Sequence, residues 1–428
     1  MNSTQTQLKR ILATVCAILA LSSQGLASPA QDLFNQAAYY IAFYYNGYSS
    51  ADWNNFSQEY QPELTNACQS LGEKCPYTSA VPIISKMIEA LEDGHTYYLS
   101  AAARAESNRQ RQGKGSSALR VGIITNEIPE SSDRLITDVQ ADGPAGRAGI
   151  TRGDRVISLN AQASSSYGAS IDFQKAISNA IGSGKPVRLG LQRGPKNLEF
   201  VLRGEILPPR LPSLRLLPGN IGLLRIPGFE VYGQVGQTIH DLVRRANKQN
   251  LRALIVDVRD NPGGIDIEFI AALSAFVPKA GYVLQSRAST SSKVWTDSSV
   301  FLGDPNGNPV LRVQAIREPG LWRGRLVVLT NANSYSGAEY FAQGIQDAKR
   351  GTVIGETSGG LGNTVTTEYE LADGGAVSIT FGKSLRLDGT PLPEAVTPDI
   401  DVTDDLEVLA ASGRDLVLER ALEEINAR

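Results

Sequence analysis

Ser336 is the residue of this chain whose surroundings best suit nucleophilic chemistry. It follows the apolar run Leu326-Val327-Val328-Leu329 and a short polar stretch, and it directly precedes Gly337. This pattern predicts a buried strand that turns into a helix, with the hydroxyl at the helix N-terminus. Outward-pointing N–H groups there favour developing negative charge. A serine nucleophile and its oxyanion hole need such an environment. Ser334 is the rival nucleophile in the same stretch.

A serine nucleophile also needs a general base, and the chain has only two histidines. His240 lies within an amphipathic helical pattern, which predicts a packing or surface role. His95 follows Asp93-Gly94, a helix stop signal, so it should emerge from a rigid helix end. By elimination His95 is the histidine to pair with Ser336, although the residues alone leave the pairing open. An unperturbed imidazole titrates near about 6.5 and suits a base near neutral pH.

A second candidate turn is Asp260-Asn261-Pro262-Gly263-Gly264, which follows the apolar stretch Ala253–Val258. Glycines let the backbone approach a ligand closely. The N–H groups of this turn could complete an oxyanion hole with the amide of Gly337. A plain strand-to-helix turn is the alternative. A phosphate-binding loop is disfavoured, since neither its lysine nor its spacing is present.

Composition bounds the class of protein. The 428 residues suffice for two or three domains, and 41 basic against 44 acidic residues give a net charge of -3. No basic patch stands out, so nucleic acid is not expected as a partner. Lys9 and Arg10 precede an apolar run from Ile11 to Leu21, which predicts a cleaved secretory signal over residues 1–27. A membrane anchor is the alternative, but a span needs about 20 apolar residues. The protein is therefore expected to be exported, periplasmic or secreted, with no stable membrane span.

The cysteines support an exported location. Cys16 lies in the predicted signal, and Cys68 and Cys75 remain close together in sequence. Such a pair predicts a disulfide that closes a small loop, with two free thiols as the alternative. A metal site is not expected, because no histidine lies near enough in sequence to complete the ligand set. No cofactor is predicted.

Three regions follow the predicted signal. Residues 28–112 have helical periodicity, although 104–117 are charged and non-periodic and predict a linker. Residues 118–205 are rich in predicted strands, near 119–124, 134–139, 155–159, 187–192 and 198–203. Residues 213–428 alternate strand and helix patterns, as in a layered α/β core.

Four motifs in order resemble one protein family: Ile221–Phe229, the Asp260–Gly264 turn, the stretch around Ser336, and Gly355-Glu356-Thr357-Ser358-Gly359-Gly360. Together they are similar to the tail-specific (C-terminal processing) protease superfamily, which includes the tricorn core protease; the resemblance covers roughly residues 79–402. It implies an α/β fold: a crotonase-like β-β-α spiral core over 213–428, with an inserted PDZ-like β domain and an N-terminal helical segment. Within 118–205, Val121-Gly122-Ile123 resembles the carboxylate-binding loop of PDZ domains, which add a peptide as an extra strand.

The resemblance also assigns roles to site residues. Processing-type members use a lysine downstream of the serine, but the corresponding stretch around Leu361 has none. The chain is more similar to the tricorn-type branch, whose base is a histidine in a motif like Asp93-Gly94-His95-Thr96. The serine that precedes this histidine in the family is replaced here by Gly94, and Thr96 is its candidate substitute. Glu394 falls where the family carries a glutamate that orients the base. The family spacing Ser-x-x-Glu, ending at Glu339, favours Ser336 over Ser334, and Asp347 is interpreted as structural.

These expectations describe an exported serine endopeptidase. Ser336 is the predicted nucleophile, His95 the base, Glu394 its orienting residue, and the amides of Gly264 and Gly337 the oxyanion hole. The expected partner is a protein or peptide substrate held by its C-terminal end. One alternative is a catalytically inactive peptide-binding protein of the same fold. Another is a hydrolase of small esters, against which the PDZ-like segment argues.

Overall fold

The computed structural model describes residues 27–128, 134–167 and 170–427. The predicted signal peptide and Cys16 lie outside the described residues. Two compact units divide the chain: the first contains the residues up to Ala103 together with Thr366–Phe381, and the second contains Arg104–Val365 and Gly382–Arg428. Among the described residues, no helix combines the length and the apolar character that a bilayer span requires.

The first unit is built on three helices, Pro29–Tyr44, Phe56–Cys68 and Tyr77–Glu89, with short 3₁₀ turns at Trp53–Asn55 and Gly72–Lys74. The first helix has Ser28 as its N-cap, whose hydroxyl accepts from the N–H of Gln31, and a proline at the start, where no N–H is needed. The apolar faces of these helices form a core of their own. Cys68 and Cys75 form a disulfide, with Cα atoms 5.4 Å apart. The strand Tyr97–Leu99 pairs antiparallel with residues 376–378.

The helix Ala101–Arg111 follows this strand. It occupies much of the stretch 104–117, so the prediction of a linker is wrong for those residues. Its sequence, AAARAESNRQR, has a strong helix propensity despite its lack of apolar periodicity.

The β-rich region of the second unit is an antiparallel sheet in the order Ile123–Glu127, Arg134–Val139, Arg155–Leu159, Val187–Arg193, Lys196–Leu202, with the short strand Gln162–Ala163 beside the third. The helix Ser170–Gly182 packs on it through Phe173, Ile177 and Ile181. Pro144–Arg147 forms one helical turn. The strand Ile123–Glu127 lies at the edge of this sheet.

The rest of the second unit centres on a six-stranded sheet in the order Ile400–Asp401, Thr352–Gly355, Arg325–Thr330, Ala253–Asp257, Ile221–Arg225, Ser213–Leu217. All neighbours are parallel except the last pair. Helices cover this sheet, which explains why its central strands are uninterrupted apolar runs. The helices are Val235–Lys248, Asp266–Ser274, Gly337–Asp347 and Leu416–Asn426. The helix Leu406–Ser412 packs instead beside the antiparallel sheet, with Leu409 and Ala410 against Ile128 and Leu135.

An antiparallel meander completes this unit, with strands Gly281–Ser286, Thr290–Thr296, Ser299–Gly303 and Pro309–Ala315. Most of the hairpin formed by the strands Thr364–Glu370 and Ala376–Leu385 belongs to the first unit, but residues 382–385 belong to the second unit, where they pair with residues 283–286 of the meander. The mixture of a parallel sheet, antiparallel sheets and covering helices confirms the predicted α/β class.

Candidate active site

Two neighbouring strands of the six-stranded sheet bring the candidate residues to one edge. Ala253–Asp257 and Arg325–Thr330 are parallel and in register, with Asp257 opposite Leu329. Because both strands end at the same edge, the turns that follow them are adjacent, as at ligand sites of other α/β sheets. We call residues 258–265 the glycine turn and residues 331–337 the serine turn.

The backbone of Ser336 is strained. Its φ is 51° and its ψ is -111°, a combination that side-chain-bearing residues rarely adopt. Such strain costs on the order of 1–3 kcal/mol and persists only where the surroundings enforce it. The N–H of Ser336 donates to Oε2 of Glu339 (2.6 Å), and its carbonyl accepts from the N–H of Tyr340 (3.0 Å). Ser336 therefore caps the helix Gly337–Asp347 in a held, high-energy conformation, as a nucleophile on a strand-to-helix turn requires.

The glycine turn lies directly against Ser336. A Cβ atom at Gly263 would fall 2.7 Å from Cβ of Ser336 and 2.8 Å from the amide nitrogen of Gly337. The N–H of Tyr335 also donates to the carbonyl of Asn261, at 2.9 Å. The structure thus brings the two predicted turns into contact.

In the glycine turn, one backbone N–H group has no hydrogen-bond acceptor among the described residues. The N–H of Gly263 donates to Oδ1 of Asn261 (2.8 Å), and the N–H of Ile265 donates to the carbonyl of Phe229 (2.8 Å). Between them lies Gly264, whose N–H donates to no other group in the described part of the chain.

The serine turn shows the same arrangement. The N–H of Ser336 is taken by Glu339, and that of Ala338 donates to the carbonyl of Tyr335 (3.0 Å). Within the described residues, the N–H of Gly337 has no acceptor. Each turn therefore keeps one amide available, and these are the two amides that the sequence analysis selected for an oxyanion hole.

Ser334 has a different environment from Ser336. Its side chain is fully buried, and its hydroxyl donates to the carbonyl of Val258 (2.9 Å) and accepts from the N–H of Asn331 (3.1 Å). Both functions of the hydroxyl are used in joining the two turns. The structure therefore favours Ser336 as the nucleophile.

The sequence analysis used Glu339 only as the last residue of the Ser-x-x-Glu spacing, but in the structure it also holds a neighbouring loop. Its buried carboxylate also accepts from the hydroxyl of Ser358 (2.6 Å) and from the N–H groups of Gly360 and Leu361 (2.8 Å each). Burial raises the pKa of Glu339, against the effect of these hydrogen bonds. The sequence signal was available, because a glutamate three residues after a serine N-cap is a capping pattern.

Glu394 lies beside the loop that Glu339 holds. Its backbone carbonyl accepts from the N–H of Gly362 (2.9 Å), and its Cγ lies 3.7 Å from where a Cβ of Gly360 would be. The structure thus places Glu394 one loop away from the helix that Ser336 caps. Its action on the base stays a prediction.

His95 belongs to the first unit. Its N–H donates to Oδ1 of Asp93 (3.0 Å), and its side chain is 8% exposed. Burial lowers the pKa of His95, and the carboxylate of Asp93 opposes this. The hydroxyl of Thr96, the candidate substitute for the missing serine, donates to Oδ2 of Asp93 (2.9 Å) and accepts from the N–H of Thr380 (3.1 Å). Because His95 and Ser336 belong to different units, their pairing stays a prediction.

The two residues interpreted as structural have structural partners. His240 is fully buried in its helix; its Nδ1 accepts from the N–H of Gly320 (3.1 Å) and its Nε2 faces the carbonyl of Ala271 (3.0 Å). Burial lowers the pKa of His240. Asp347 accepts from Nε of Arg386 at 2.7 Å.

A groove of about 460 Å³ lies between the edge strand Ile123–Glu127 and the helix Ser170–Gly182. Val121, Gly122 and Ile123 line it, facing Ile177 and Ile181 of the helix. An edge strand beside a groove is the arrangement that accepts a peptide as an added strand. No group of three or more His, Cys, Asp or Glu side chains suited to a metal ion occurs in the described residues.

The site can now be compared with known proteins. The family model for peptidase family S41 matches residues 220–402. This segment is therefore similar to the peptidases of family S41. It contains both turns, Glu339 and Glu394, whereas His95 and most of the residues that line the groove lie before it.

Among relatives, the carboxy-terminal processing protease CtpA of Bacillus subtilis is 26% identical over 311 residues, covering 72% of this chain and 60% of the relative. The carboxy-terminal-processing protease of Bartonella bacilliformis is also 26% identical, over 73% of this chain and 67% of that protein. The chain thus spans about three fifths of the length of the Bacillus relative.

Solved structures share the fold. The photosystem II D1 C-terminal processing protease has a TM-score of 0.52 at 20% identity, covering 92% of this chain and 97% of that one. An S41 protease structure from Bacteroides fragilis has a TM-score of 0.53 at 12% identity, over 91% of this chain and 97% of that one. The likeness extends over the described regions before residue 220 as well as the family segment.

Proposed function

We propose that this chain is an exported serine endopeptidase that cleaves proteins or peptides whose C-terminal ends it holds in the groove beside Ile123–Glu127. The observation that carries the proposal is the strained Ser336 against the glycine turn, with one available amide on each side. The similarity to carboxy-terminal processing proteases agrees with a peptide substrate.

The chemistry follows from the residues of the site. The hydroxyl of Ser336 attacks the scissile carbonyl while His95 takes its proton, and His95 then protonates the leaving amine. The amides of Gly264 and Gly337 stabilise the oxyanion that forms. Removing one donor of such a pair costs about 10²–10³ in kcat. Glu394 orients the base.

The groove supplies substrate selection. A peptide tail would extend the sheet along Ile123–Glu127, and its carboxylate would meet the N–H groups of Val121-Gly122-Ile123. Ile177 and Ile181 line the groove, but both are almost fully buried in the core of this region, so they expose little apolar surface to the tail. The same unit holds the groove and Ser336, whereas the proposed base His95 belongs to the first unit.

A fluorophosphonate probe tests the nucleophile directly. We expect covalent labelling of the wild type and its loss in Ser336→Ala. Cleavage of a peptide panel, followed by mass spectrometry, then tests the substrate class: peptides with a free C-terminus should be cleaved faster than the same peptides with an amidated end. Peptide binding without labelling would indicate the inactive binding protein instead, and turnover of small esters alone would indicate the esterase.

The pH profile tests the base. Because burial lowers the pKa of His95, the active neutral imidazole persists below its ordinary value of about 6.5. We expect the acid limb of kcat/KM to fall below pH 6.5. The same sign applies to stability, where the contribution of neutral His95 is present above about pH 6.5 and is lost as the pH falls through the lowered pKa. NMR titration of the two imidazoles in the Ser336→Ala protein, assigned with His95→Gln, checks the value. An acid limb above 6.5 that does not follow His95 would contradict its role.

Export is tested separately. We expect the mature N-terminus of the protein from its native host to lie at residue 28, which N-terminal sequencing measures. A retained residue 1 would contradict cleavage of the predicted signal.

A further inference from the structure

One carboxylate outside the family segment contacts both turns of the site. Asp404 follows the strand Ile400–Asp401, two residues after the end of the S41 match, and its side chain is 6% exposed. Its Oδ1 accepts from Nη1 of Arg259 (3.1 Å) in the glycine turn, and its Oδ2 accepts from Nδ2 of Asn331 (3.3 Å) in the serine turn. We propose that Asp404 is a positioning residue that sets the two turns relative to each other; this inference rests on the proposed function.

On the glycine-turn side, Asp404 acts through Arg259. This guanidinium is 2% exposed and also contacts Asp257 (2.9 Å) and Asp415 (2.8 Å). A buried charge is tolerated only when its partners are in place, so the carboxylates fix where Arg259 lies. The backbone of Arg259 is held as well, since its carbonyl accepts from Nη1 of Arg225 (2.6 Å). Three residues, Asp260-Asn261-Pro262, connect Arg259 to the two glycines.

On the serine-turn side, Asp404 orients the amide of Asn331. Oδ1 of Asn331 accepts from the N–H of Asp260 (2.9 Å), while its Nδ2 lies between Oδ1 of Asp260 (3.2 Å) and Oδ2 of Asp404. Two carboxylate oxygens on the Nδ2 side fix the orientation of the amide, because a flipped amide would set its NH₂ group against the N–H of Asp260. Asp404 thereby holds the first residue of the serine turn on the glycine turn.

Asp404 also contacts Arg152, which precedes the strand Arg155–Leu159 of the antiparallel sheet. Nη2 of Arg152 lies 2.7 Å from Oδ2 of Asp404, and Nη1 of Arg152 lies 3.3 Å from Asp415. Asp415 thus shares both arginines with Asp404, and among the described hydrogen bonds it makes none to the serine turn. The two aspartates therefore differ in one contact: Asp404 accepts a hydrogen bond from Asn331 of the serine turn, and Asp415 does not.

This difference provides a matched pair of variants, Asp404→Asn and Asp415→Asn. Both leave Arg259 with one charged partner fewer, so both should lower Tm. Per folded molecule, we expect Asp404→Asn to lower kcat about 10-fold with a smaller change in KM, since small displacements of catalytic groups cost this much or more. Asp415→Asn should keep kcat within about 2-fold, because its loss does not release Asn331.

Peptide cleavage kinetics, normalised to the folded fraction from circular dichroism, measure both. Equal kcat in the two variants, or a wild-type kcat in Asp404→Asn, would overturn the positioning role of Asp404. The proposed function would still hold in that case, provided that cleavage by the wild type depends on Ser336. A wild type without Ser336-dependent cleavage would overturn both. Asn331→Ala, which breaks the same contact without touching an arginine, must also lower kcat; a wild-type value there refutes the positioning role even if Asp404→Asn does not fold.

Discussion

The glycine turn and the serine turn each present one available backbone amide at the site, but they reach this geometry with different residues. Each follows a central parallel strand, meets the other at one sheet edge, and leaves a single amide available, that of Gly264 or Gly337. The glycine turn reaches its geometry at positive φ, 91° at Gly263 and 135° at Gly264, where glycine is unstrained. The serine turn must hold a side chain at φ 51°.

The difference shows where each turn is vulnerable. The glycine turn is unstrained at its two glycines but has no space for a side chain there. A Cβ at Gly263 would lie within 3 Å of the serine turn, and a Cβ at Gly264 within 3 Å of the backbone of Phe229. The serine turn has a reactive side chain, and its strain must be balanced by contacts such as that of Glu339. A larger residue in the glycine turn should therefore collide with its neighbours. Loss of a contact in the serine turn should instead let the strained backbone of Ser336 relax.

Gly263→Ala should have the largest effect of the substitutions that leave Ser336 itself in place. The new Cβ would lie within 3 Å of Cβ of Ser336 and of two backbone atoms, the nitrogen of Gly337 and the carbonyl oxygen of Tyr335. Backbone atoms cannot turn aside, so the nucleophile must shift. We expect kcat to fall about 10²-fold or more, measured as peptide cleavage per folded molecule.

Gly389→Ala is the matched control. Gly389 has a similar φ of 85°, but a Cβ there would meet no heavy atom within 4 Å. Gly389→Ala should therefore lower the unfolding free energy by about 1 kcal/mol, because alanine disfavours this backbone conformation. It should cause no collision with a neighbouring residue. If both variants lost activity equally, contact between the turns would not be what matters.

Glu339→Gln tests relaxation of the serine turn. An amide replaces one of the two oxygens that together accept four hydrogen bonds, so at least one N–H loses its acceptor. We expect kcat to fall about 10-fold and the unfolding free energy to drop by about 1–3 kcal/mol. Asp347→Asn, on the same helix but in an exposed ion pair, should change kcat less than 2-fold. Similar kinetics for the two variants would show that Glu339 does not hold Ser336.

The two turns were predictable because their signals are local. Apolar strands followed by small and polar residues mark both. The apolar run Leu326–Leu329 predicted a strand that the structure shows at Arg325–Thr330, and the predicted strands at 134–139 and 155–159 coincide with those observed. The meander between Gly281 and Ala315 gave no such signal, because its outer strand Pro309–Ala315 is largely exposed and lacks a buried face.

Contacts between distant residues were beyond sequence reasoning. Asp404 meets Arg259 across 145 positions and Arg152 across 252, and nothing in the composition near any of them marks the partner. Likewise, the hairpin residues 366–381 join the N-terminal helices by pairing with Tyr97–Leu99, which a linear division into 28–112 and 213–428 does not anticipate. Such pairings depend on the completed topology rather than on local pattern.

Ser334→Ala should have the smallest effect on catalysis and separates the two serines of the serine turn. The Ser334 hydroxyl joins the turns by donating to Val258 and accepting from Asn331, so its loss leaves the N–H of Asn331 buried without this acceptor. We expect the unfolding free energy to drop by about 1–3 kcal/mol. Fluorophosphonate labelling of the folded protein should stay within about 2-fold of wild type, because Glu339 and the glycine turn still hold Ser336. Denaturant unfolding and the labelling rate measure the two quantities on the same sample. Loss of labelling at unchanged stability would make Ser334 the nucleophile and would reverse the assignment of the two serines.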